Sequence, residues 1–192
     1  MGATSSPRTP ASLHDVELAA LSAAGDRQAF GELVRRHGSA VRGLLRRMGA
    51  DPATADDVAQ DAFLAAFERI AEFRGEGAFA GWVKKIAARL YLRRFRKGVK
   101  LDLSAEPETE PEPSHEAASN RRIDLDEALK VLSPNERICV SLCYGGGLSH
   151  AEAAEALNAP LGTVKSHVKR GLDKLRERLA APTDKTGERV HG

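Results

Sequence analysis

Hydrophobic residues recur at intervals of three and four along most of this chain, the spacing that gathers side chains on one face of an α-helix. The longest such pattern follows Asp26, whose carboxylate can cap the first turn of a helix. The positions on its recurring face are Phe30, Leu33, Val34, His37, Val41, Leu44, Leu45 and Met48. After Gly49, the pair Asp51-Pro52 offers a second cap and a first-turn proline. The apolar side of the helix that begins there consists of Val58, Ala62, Phe63, Ala66, Phe67 and Ile70.

A third amphipathic helix is predicted between residues 82 and 100, after a turn marked by glycines at 75, 77 and 81. This segment contains eight Lys or Arg residues and no Asp or Glu. Five of the basic residues step by three or four positions and form one stripe, namely Lys85, Arg89, Arg93, Arg96 and Lys100. A second stripe, formed by Trp82, Ile86 and Leu90, can be buried against the preceding helices. The pattern therefore predicts a packed helix with one basic face.

The negative charge that offsets this helix follows directly after it. The formal net charge of the 192-residue chain is only +2, and residues 101 to 120 contain six carboxylates, three prolines and no Lys or Arg. Because proline interrupts helices and like charges repel, we expect an extended, flexible linker over residues 99 to 119. The predicted fold is all-α, with two small helical domains over 13–98 and 120–180. The Ser-, Thr- and Pro-rich residues 1–12 and the C-terminal residues 181–192 are predicted to be tails.

The second domain has clear helix boundaries. Capping boxes begin at Ser133 and Ser149, each with a glutamate three residues later. Asn158 can adopt the left-handed conformation that ends a helix, and Pro160 enforces the break. The last helix, from about residue 161 to 179, starts with TVKSHVKR, so the pair fits a helix-turn-helix. This motif predicts that the last helix binds a major groove through Thr163, Lys165, Ser166, His167, Lys169 and Arg170. A helical hairpin without DNA-binding activity fits the same pattern.

Two stretches together resemble one protein family, the extracytoplasmic-function (ECF) sigma factors of bacterial RNA polymerase. LSHAEAAEALNAPLGTVKSHVKRGLDKLRERL is similar to their promoter-reading C-terminal domain. ADDVAQDAFLAAFERIAEFRGEGAFAGWVKKIAARL is similar to their N-terminal domain. The likeness covers roughly residues 14 to 98 and 120 to 180, in the order that this family uses. The resemblance implies a subunit that binds core polymerase, recognises promoter elements and melts DNA.

The resemblance also implies roles for individual residues. Asp57, Gln60 and Asp61 match the surface that binds a coiled coil of the β′ subunit. The segment that opens the minus-ten element is matched by Arg74, Trp82, Lys85, Arg89, Arg93 and Arg96, although packing in the core is the alternative role for Trp82. The family often has Asn and Asp where this chain has Arg89 and Arg93. These substitutions favour attraction to phosphates but remove short hydrogen-bond acceptors. The acidic linker matches the segment that passes the polymerase active centre, although a solubilising tether is the alternative.

The implied partners are core RNA polymerase through its β′ and β subunits, promoter DNA and an anti-sigma factor. Two other functions fit parts of the sequence: a stand-alone helix-turn-helix regulator, and a decoy that binds core polymerase or an anti-sigma factor without melting DNA. No phosphate-binding loop or catalytic set of side chains is recognisable in the sequence, so we expect neither an enzyme nor a cofactor. Apolar runs too short for a bilayer and the absence of a secretion signal predict a cytoplasmic protein. Cys139 and Cys143 are expected to be small core residues, with a redox or metal sensor as the alternative.

Overall fold

The computed structural model describes residues 10–75, 78–98 and 125–180, and all regular structure in these ranges is helical. The all-α prediction is therefore confirmed. The α-helices are α1 (Asp15–Ala23), α2 (Arg27–Arg47), α3 (Pro52–Glu68), α4 (Phe79–Gly98), α5 (Leu125–Ala128), α6 (Pro134–Val140), α7 (His150–Leu157) and α8 (Leu161–Ala180). Short 3-10 turns lie at Pro10–Ser12, Ile70–Glu72 and Leu129–Val131, and a π-turn lies at Ser141–Gly145. The predicted linker over 99–119 and the C-terminal tail lie outside the described residues.

Local side-chain caps define the starts of α2 and α3. The Asp26 carboxylate accepts hydrogen bonds from the backbone N–H groups of Gln28 and Ala29 at 2.8 and 3.1 Å. Asp51 accepts from the backbone N–H and the hydroxyl of Thr54, and these bonds lower the pKa of the Asp51 carboxyl. Both predicted caps are confirmed, so α2 and α3 begin where the sequence pattern places them.

The N-terminal end of the described chain is more ordered than predicted. The prediction assigned residues 1–12 to a disordered tail, but Pro10–Ser12 forms a 3-10 turn held by Arg36. The Arg36 guanidinium donates to the carbonyl oxygens of Ala11 and Leu13 at 2.9 and 2.8 Å. Glu32 orients this guanidinium through a 2.8 Å ion pair. The ordered structure begins earlier than predicted because Arg36 of α2 binds carbonyl oxygens more than 20 residues earlier in the chain. Residues 1–9 lie outside the described residues.

The second half is built around α8, which packs against α6 and α7. Both predicted capping boxes are present at Ser133 and Ser149. Asn158 ends α7 with a φ of 51°, the left-handed conformation that the sequence predicted. Before α6, α5 is followed directly by the 3-10 turn at Leu129–Val131.

The two halves of the chain are in contact. Buried side chains of α2, α3 and α4 and those of α6, α7 and α8 belong to one continuous hydrophobic core. Gly145 allows a close approach, because a Cβ atom at this position would lie 3.0 Å from Cδ1 of Leu44 on α2. The sequence predicted two domains separated by a linker and gave no indication of this closed packing.

Candidate nucleic-acid interface

The predicted basic stripe lies on α4 with most of its described side chains turned towards solvent. Arg89 and Arg93 are exposed, as is Arg74 in the loop that precedes the helix. Lys85 is only partly exposed, and the Arg96 side chain lies outside the described side chains. On the opposite side, Val83 and Ala87 are buried in the core. The helix therefore presents a row of cations, and no described element covers Arg89 or Arg93.

Trp82 belongs to an aromatic cluster at the start of α4. Its ring centroid lies 5.6 Å from Phe73 and 5.8 Å from Phe79, and Phe79 is fully buried. His37 of α2 contacts the other side of Phe79 at 5.5 Å. Trp82 is half-buried and packs against the core, which favours the packing role over stacking on DNA.

Lys85 joins the basic stripe to the helix-turn-helix. Its Nζ lies 2.9 Å from Oε1 of Glu152 on α7, and each side chain is about one-third exposed. The Lys85 ammonium and the N–H of Ser149 lower the pKa of the Glu152 carboxyl to about 2. The closed packing therefore engages one cation of the predicted minus-ten surface with the helix that supports α8.

We predict that this ion pair makes the contact between the halves sensitive to acid. The pKa of Glu152 is depressed in the folded chain, so its stabilising effect is complete above an ordinary glutamate pKa of about 4.3 and is lost as the pH falls towards 2. Glu152→Gln keeps a side chain that can complete the capping box but removes the charge. The variant should lose less thermal stability than the parent chain between pH 5 and pH 2.

Thermal unfolding followed by circular dichroism at several pH values measures this difference. Lys85→Gln is the matched variant, because it removes the other partner of the same pair. It should flatten the pH profile only in part, because the N–H of Ser149 still lowers the pKa of Glu152, and the double variant should resemble Glu152→Gln. Identical acid sensitivity in the parent and all three variants would contradict the prediction.

The N-terminal half of α8 exposes most of the predicted DNA contacts. Lys165, Ser166, Lys169 and Arg170 are exposed, while Thr163 is half-buried. His167 is the exception, since it is only 2% exposed and its Nδ1 lies 3.2 Å from a guanidinium nitrogen of Arg170. We therefore withdraw His167 from the predicted base contacts. It lies three residues after buried Val164 and next to buried Val168, on the stripe that packs against α6 and α7.

Glu136 of α6 contacts α8. Its side chain is 1% exposed, closes the capping box of α6 and accepts a 3.1 Å hydrogen bond from Lys174 of α8. Arg170 approaches the second carboxylate oxygen at 4.0 Å. Gly171 packs so closely that a Cβ atom there would lie 2.8 Å from Cγ2 of Val140. The sequence predicted Glu136 only as a cap, because a glutamate in a capping box gives no local signal of burial.

The predicted polymerase-binding residues lie together on α3. Asp57, Gln60 and Asp61 are all exposed, and Asp57 is 3.6 Å from a guanidinium nitrogen of Arg94. Beside them is a groove of about 500 Å³ between α2 and α3, which we call the α2–α3 groove. Its lining is Arg27, Phe30, Val34, Arg42, Asp56, Ala59, Gln60, Phe63, Leu64 and Phe67. Sequence reasoning missed Leu64, which is 56% exposed and lies four residues after Gln60 on the same face. The signal available in the sequence was the position of this apolar residue, at helical spacing from Gln60 on an otherwise polar face.

The two cysteines lie in the core of the second half. Cys139 is fully buried and Cys143 is half-buried. Burial raises the pKa of the Cys139 thiol to about 12, and it also raises the pKa of Cys143. Among the described residues, no group of three or more His, Cys, Asp or Glu side chains is placed to hold a metal ion. This geometry supports the core role over a sensor.

We predict that neither thiol reacts rapidly with a disulfide reagent such as DTNB at pH 7.5 in the folded chain. The thiolate is the reactive form, and burial disfavours it at both positions. Absorbance of the released thionitrobenzoate measures the rate, with the chain in denaturant as the control that should react fully. Rapid modification of Cys139 without denaturant would contradict the burial seen here.

No helix within 10–75, 78–98 and 125–180 has the length and apolar character needed to cross a bilayer.

Comparison with known families separates the chain into the same two parts. A model described as "Sigma-70 region 2" matches residues 33–100, which contain α3, α4 and the exposed polar face of α3. A second model, "Sigma-70, region 4", matches residues 128–177, which contain the helix-turn-helix. The two matches follow the chain order of the predicted domains.

Full-length relatives show the same similarity. The "ECF RNA polymerase sigma factor SigE" of Mycolicibacterium smegmatis is 33% identical over 181 residues, which is 88% of this chain and 70% of that protein. The "RNA polymerase sigma factor NccH" of Alcaligenes xylosoxydans xylosoxydans is 34% identical, and the match covers 84% of this chain and 92% of that protein. Among solved structures, that of CnrH in complex with the cytosolic domain of CnrY is 28% identical, with a TM-score of 0.52. It covers 88% of this chain and 99% of CnrH.

Proposed function

Because this chain belongs to the ECF family of RNA polymerase sigma factors, we propose that its first half binds core polymerase and opens promoter DNA while α8 reads the minus-thirty-five element. Sigma factors are transcription initiation factors. The observation that carries this division of labour is the exposure of two separate polar surfaces. One is the acidic face of α3 and the other is the basic N-terminal half of α8.

Recognition of the minus-thirty-five element is assigned to four exposed residues of α8, namely Lys165, Ser166, Lys169 and Arg170. Lys and Arg can bind guanine edges or phosphates, and Ser can bind either type of group. Thr163 begins the same turn and is half-buried, which suits a backbone phosphate contact better than a base contact. Buried Val164, His167 and Val168 hold this helix in place from the other side.

Promoter opening is assigned to the loop at Arg74 and to the exposed cations of α4. Arg89 and Arg93 provide attraction to the phosphate backbone, which supplies affinity without reading sequence. The family often has Asn and Asp at these two positions, so this chain replaces directional acceptors with charge. We propose that its minus-ten binding depends more steeply on salt than that of relatives with Asn and Asp at these positions.

Core binding is assigned to α3 and its α2–α3 groove. Asp57 and Asp61 supply negative charge, and exposed Leu64 supplies an apolar anchor on the same helix. A buried apolar anchor surrounded by charged residues is the usual arrangement of a protein interface, because the anchor gives affinity and the rim gives orientation. This arrangement suits a helical partner with one apolar residue between basic residues. We propose that this partner is the β′ coiled coil.

Promoter binding would require the two halves to separate. The two promoter elements are about 25 base pairs apart, which is roughly 85 Å of duplex DNA. In the closed packing, Lys85 of the minus-ten surface contacts Glu152 in the helix-turn-helix. Both surfaces cannot bind their elements while this contact is made. CnrH has been solved in complex with the cytosolic domain of CnrY, and we propose that a protein partner, an anti-sigma factor, regulates the present chain.

Run-off transcription tests the proposed function. Core polymerase mixed with this chain should initiate from a cognate promoter within a genomic promoter library, and failure across the whole library would exclude a sigma-factor role. A stand-alone regulator would instead bind DNA with unchanged affinity in the absence of core polymerase. A decoy would bind core polymerase without producing the permanganate-reactive thymines that mark an open complex.

A further inference from the structure

The contact between the two halves encloses a small crevice with a strongly basic lining. Its volume is about 190 Å³, and it is lined by Arg46, Arg47, Ala50, Pro52, Leu129, Lys130 and Arg137. Arg46 and Arg47 come from the C-terminal end of α2, whereas Lys130 and Arg137 come from the second half. Four cations from two separate parts of the chain therefore face one cavity, which we call the interdomain crevice.

The nearby carboxylates are already engaged. Glu127 pairs with Lys130 at 2.7 Å, and Asp51 caps α3 through hydrogen bonds from Thr54. Among the described side chains, these two acids leave an excess of positive charge around the cavity. Bringing like charges together costs free energy, and this cost is reduced when an anion lies between them.

Arg137 provides the second observation that points to a ligand. Its Nε atom is buried and has no hydrogen-bond partner among the described residues. Its guanidinium lies against the first half of the chain, since a Cβ atom at Gly49 would be 2.6 Å from one terminal nitrogen. A buried guanidinium donor without an acceptor is costly, and an anion in the crevice that this guanidinium lines would offset its positive charge.

We propose that the interdomain crevice binds a small phosphate-bearing anion, of the size of a diphosphate, that bridges both halves of the chain. Arginine forks suit phosphate oxygens, and lysine adds a mobile point charge. The cavity is smaller than the roughly 300 to 1,000 Å³ of pockets for drug-sized ligands, so its volume suits a small anion. Because the cations come from both halves, the anion stabilises the closed packing by mass action. This site depends on the closed packing and goes beyond the sigma-factor role.

Isothermal titration calorimetry with sodium pyrophosphate tests the site on the full chain in low-salt buffer. We expect saturable binding with one anion per chain. Arg46→Gln in the first half and Lys130→Gln in the second should each weaken binding about tenfold, because each removes a charge-assisted contact. Both residues are exposed, so neither substitution should prevent folding, which circular dichroism verifies. Arg176→Gln, an exposed position near the end of α8, removes the same charge and should change affinity less than about twofold.

One further variant has the opposite expected sign. Glu127→Gln releases Lys130 from its ion pair and removes a negative charge near the crevice, so it should tighten pyrophosphate binding severalfold. Absence of saturable binding, or binding that Arg46→Gln and Lys130→Gln leave unchanged, would overturn the proposal. So would binding of a dT12 oligonucleotide that these two substitutions weaken while pyrophosphate does not bind, since that result assigns the crevice to a nucleic-acid strand. The assay needs neither polymerase nor promoter, so its failure would leave the transcription test unaffected.

Discussion

A chain carrying Lys165→Glu and Lys169→Glu is expected to lose promoter-dependent transcription by roughly a hundredfold, because two exposed cations in the N-terminal half of α8 would be replaced by charges that repel DNA. Transcription should fall at every promoter that has the same minus-thirty-five element. The fold should persist, since both substituted side chains are exposed on the surface of α8. Run-off transcription by holoenzyme measures the loss, and thermal unfolding verifies the fold.

The matched control lies on the same helix. Arg176→Glu with Arg178→Glu changes the net charge by the same amount, but near the C-terminal end of α8, away from the residues assigned to the major groove. This variant should keep transcription within a few-fold of the parent chain. An equal loss in both variants would show that only overall charge matters, and full activity of the first variant would remove α8 from the promoter interface.

The second large effect is expected at the polymerase interface. Asp61→Lys places a positive charge in the middle of the acidic face of α3, next to exposed Leu64. Binding to core polymerase should weaken at least about thirtyfold, because disrupting a close charge pair at an interface costs about 2 kcal/mol or more. Competition between labelled parent chain and unlabelled variant for core polymerase, without DNA, measures this affinity.

Glu177→Lys is the control for this experiment, because it makes the same change in charge at an exposed site in the other half of the chain. It should bind core polymerase as the parent does. Leu64→Ala then separates the two components of the interface, since it removes the apolar anchor and leaves the acidic face intact. Parent-like core affinity of Asp61→Lys would contradict the assignment of α3 to the β′ subunit.

Helix boundaries were the most predictable part of this structure. Asp26, Asp51, Ser133 and Ser149 all cap the helices that the sequence assigned to them, and Asn158 adopts the predicted left-handed conformation. These features depend on hydrogen bonds between residues two to four positions apart, so the local sequence contains both partners.

The candidate site was predicted less completely. His167 was chosen for its chemistry, although its spacing from Val164 and Gly171 places it on the buried stripe of α8. Leu64 was not predicted because the charged residues of the same face indicated a purely polar surface. In both cases the helical period contained the information, and residue type led to the wrong emphasis.

Local sequence patterns were enough to establish the family, the all-α fold and the caps at Asp26, Asp51, Ser133, Ser149 and Asn158. Each of these follows from local spacing or from motifs that remain intact when the chain is unfolded. Only the tertiary structure decided that Lys85 pairs with Glu152, that Gly145 packs against Leu44 and that four cations surround one crevice. These contacts join residues about 67 to 101 positions apart for the first two pairs, and they depend on how two apolar surfaces fit together. No periodicity within either half contains that information.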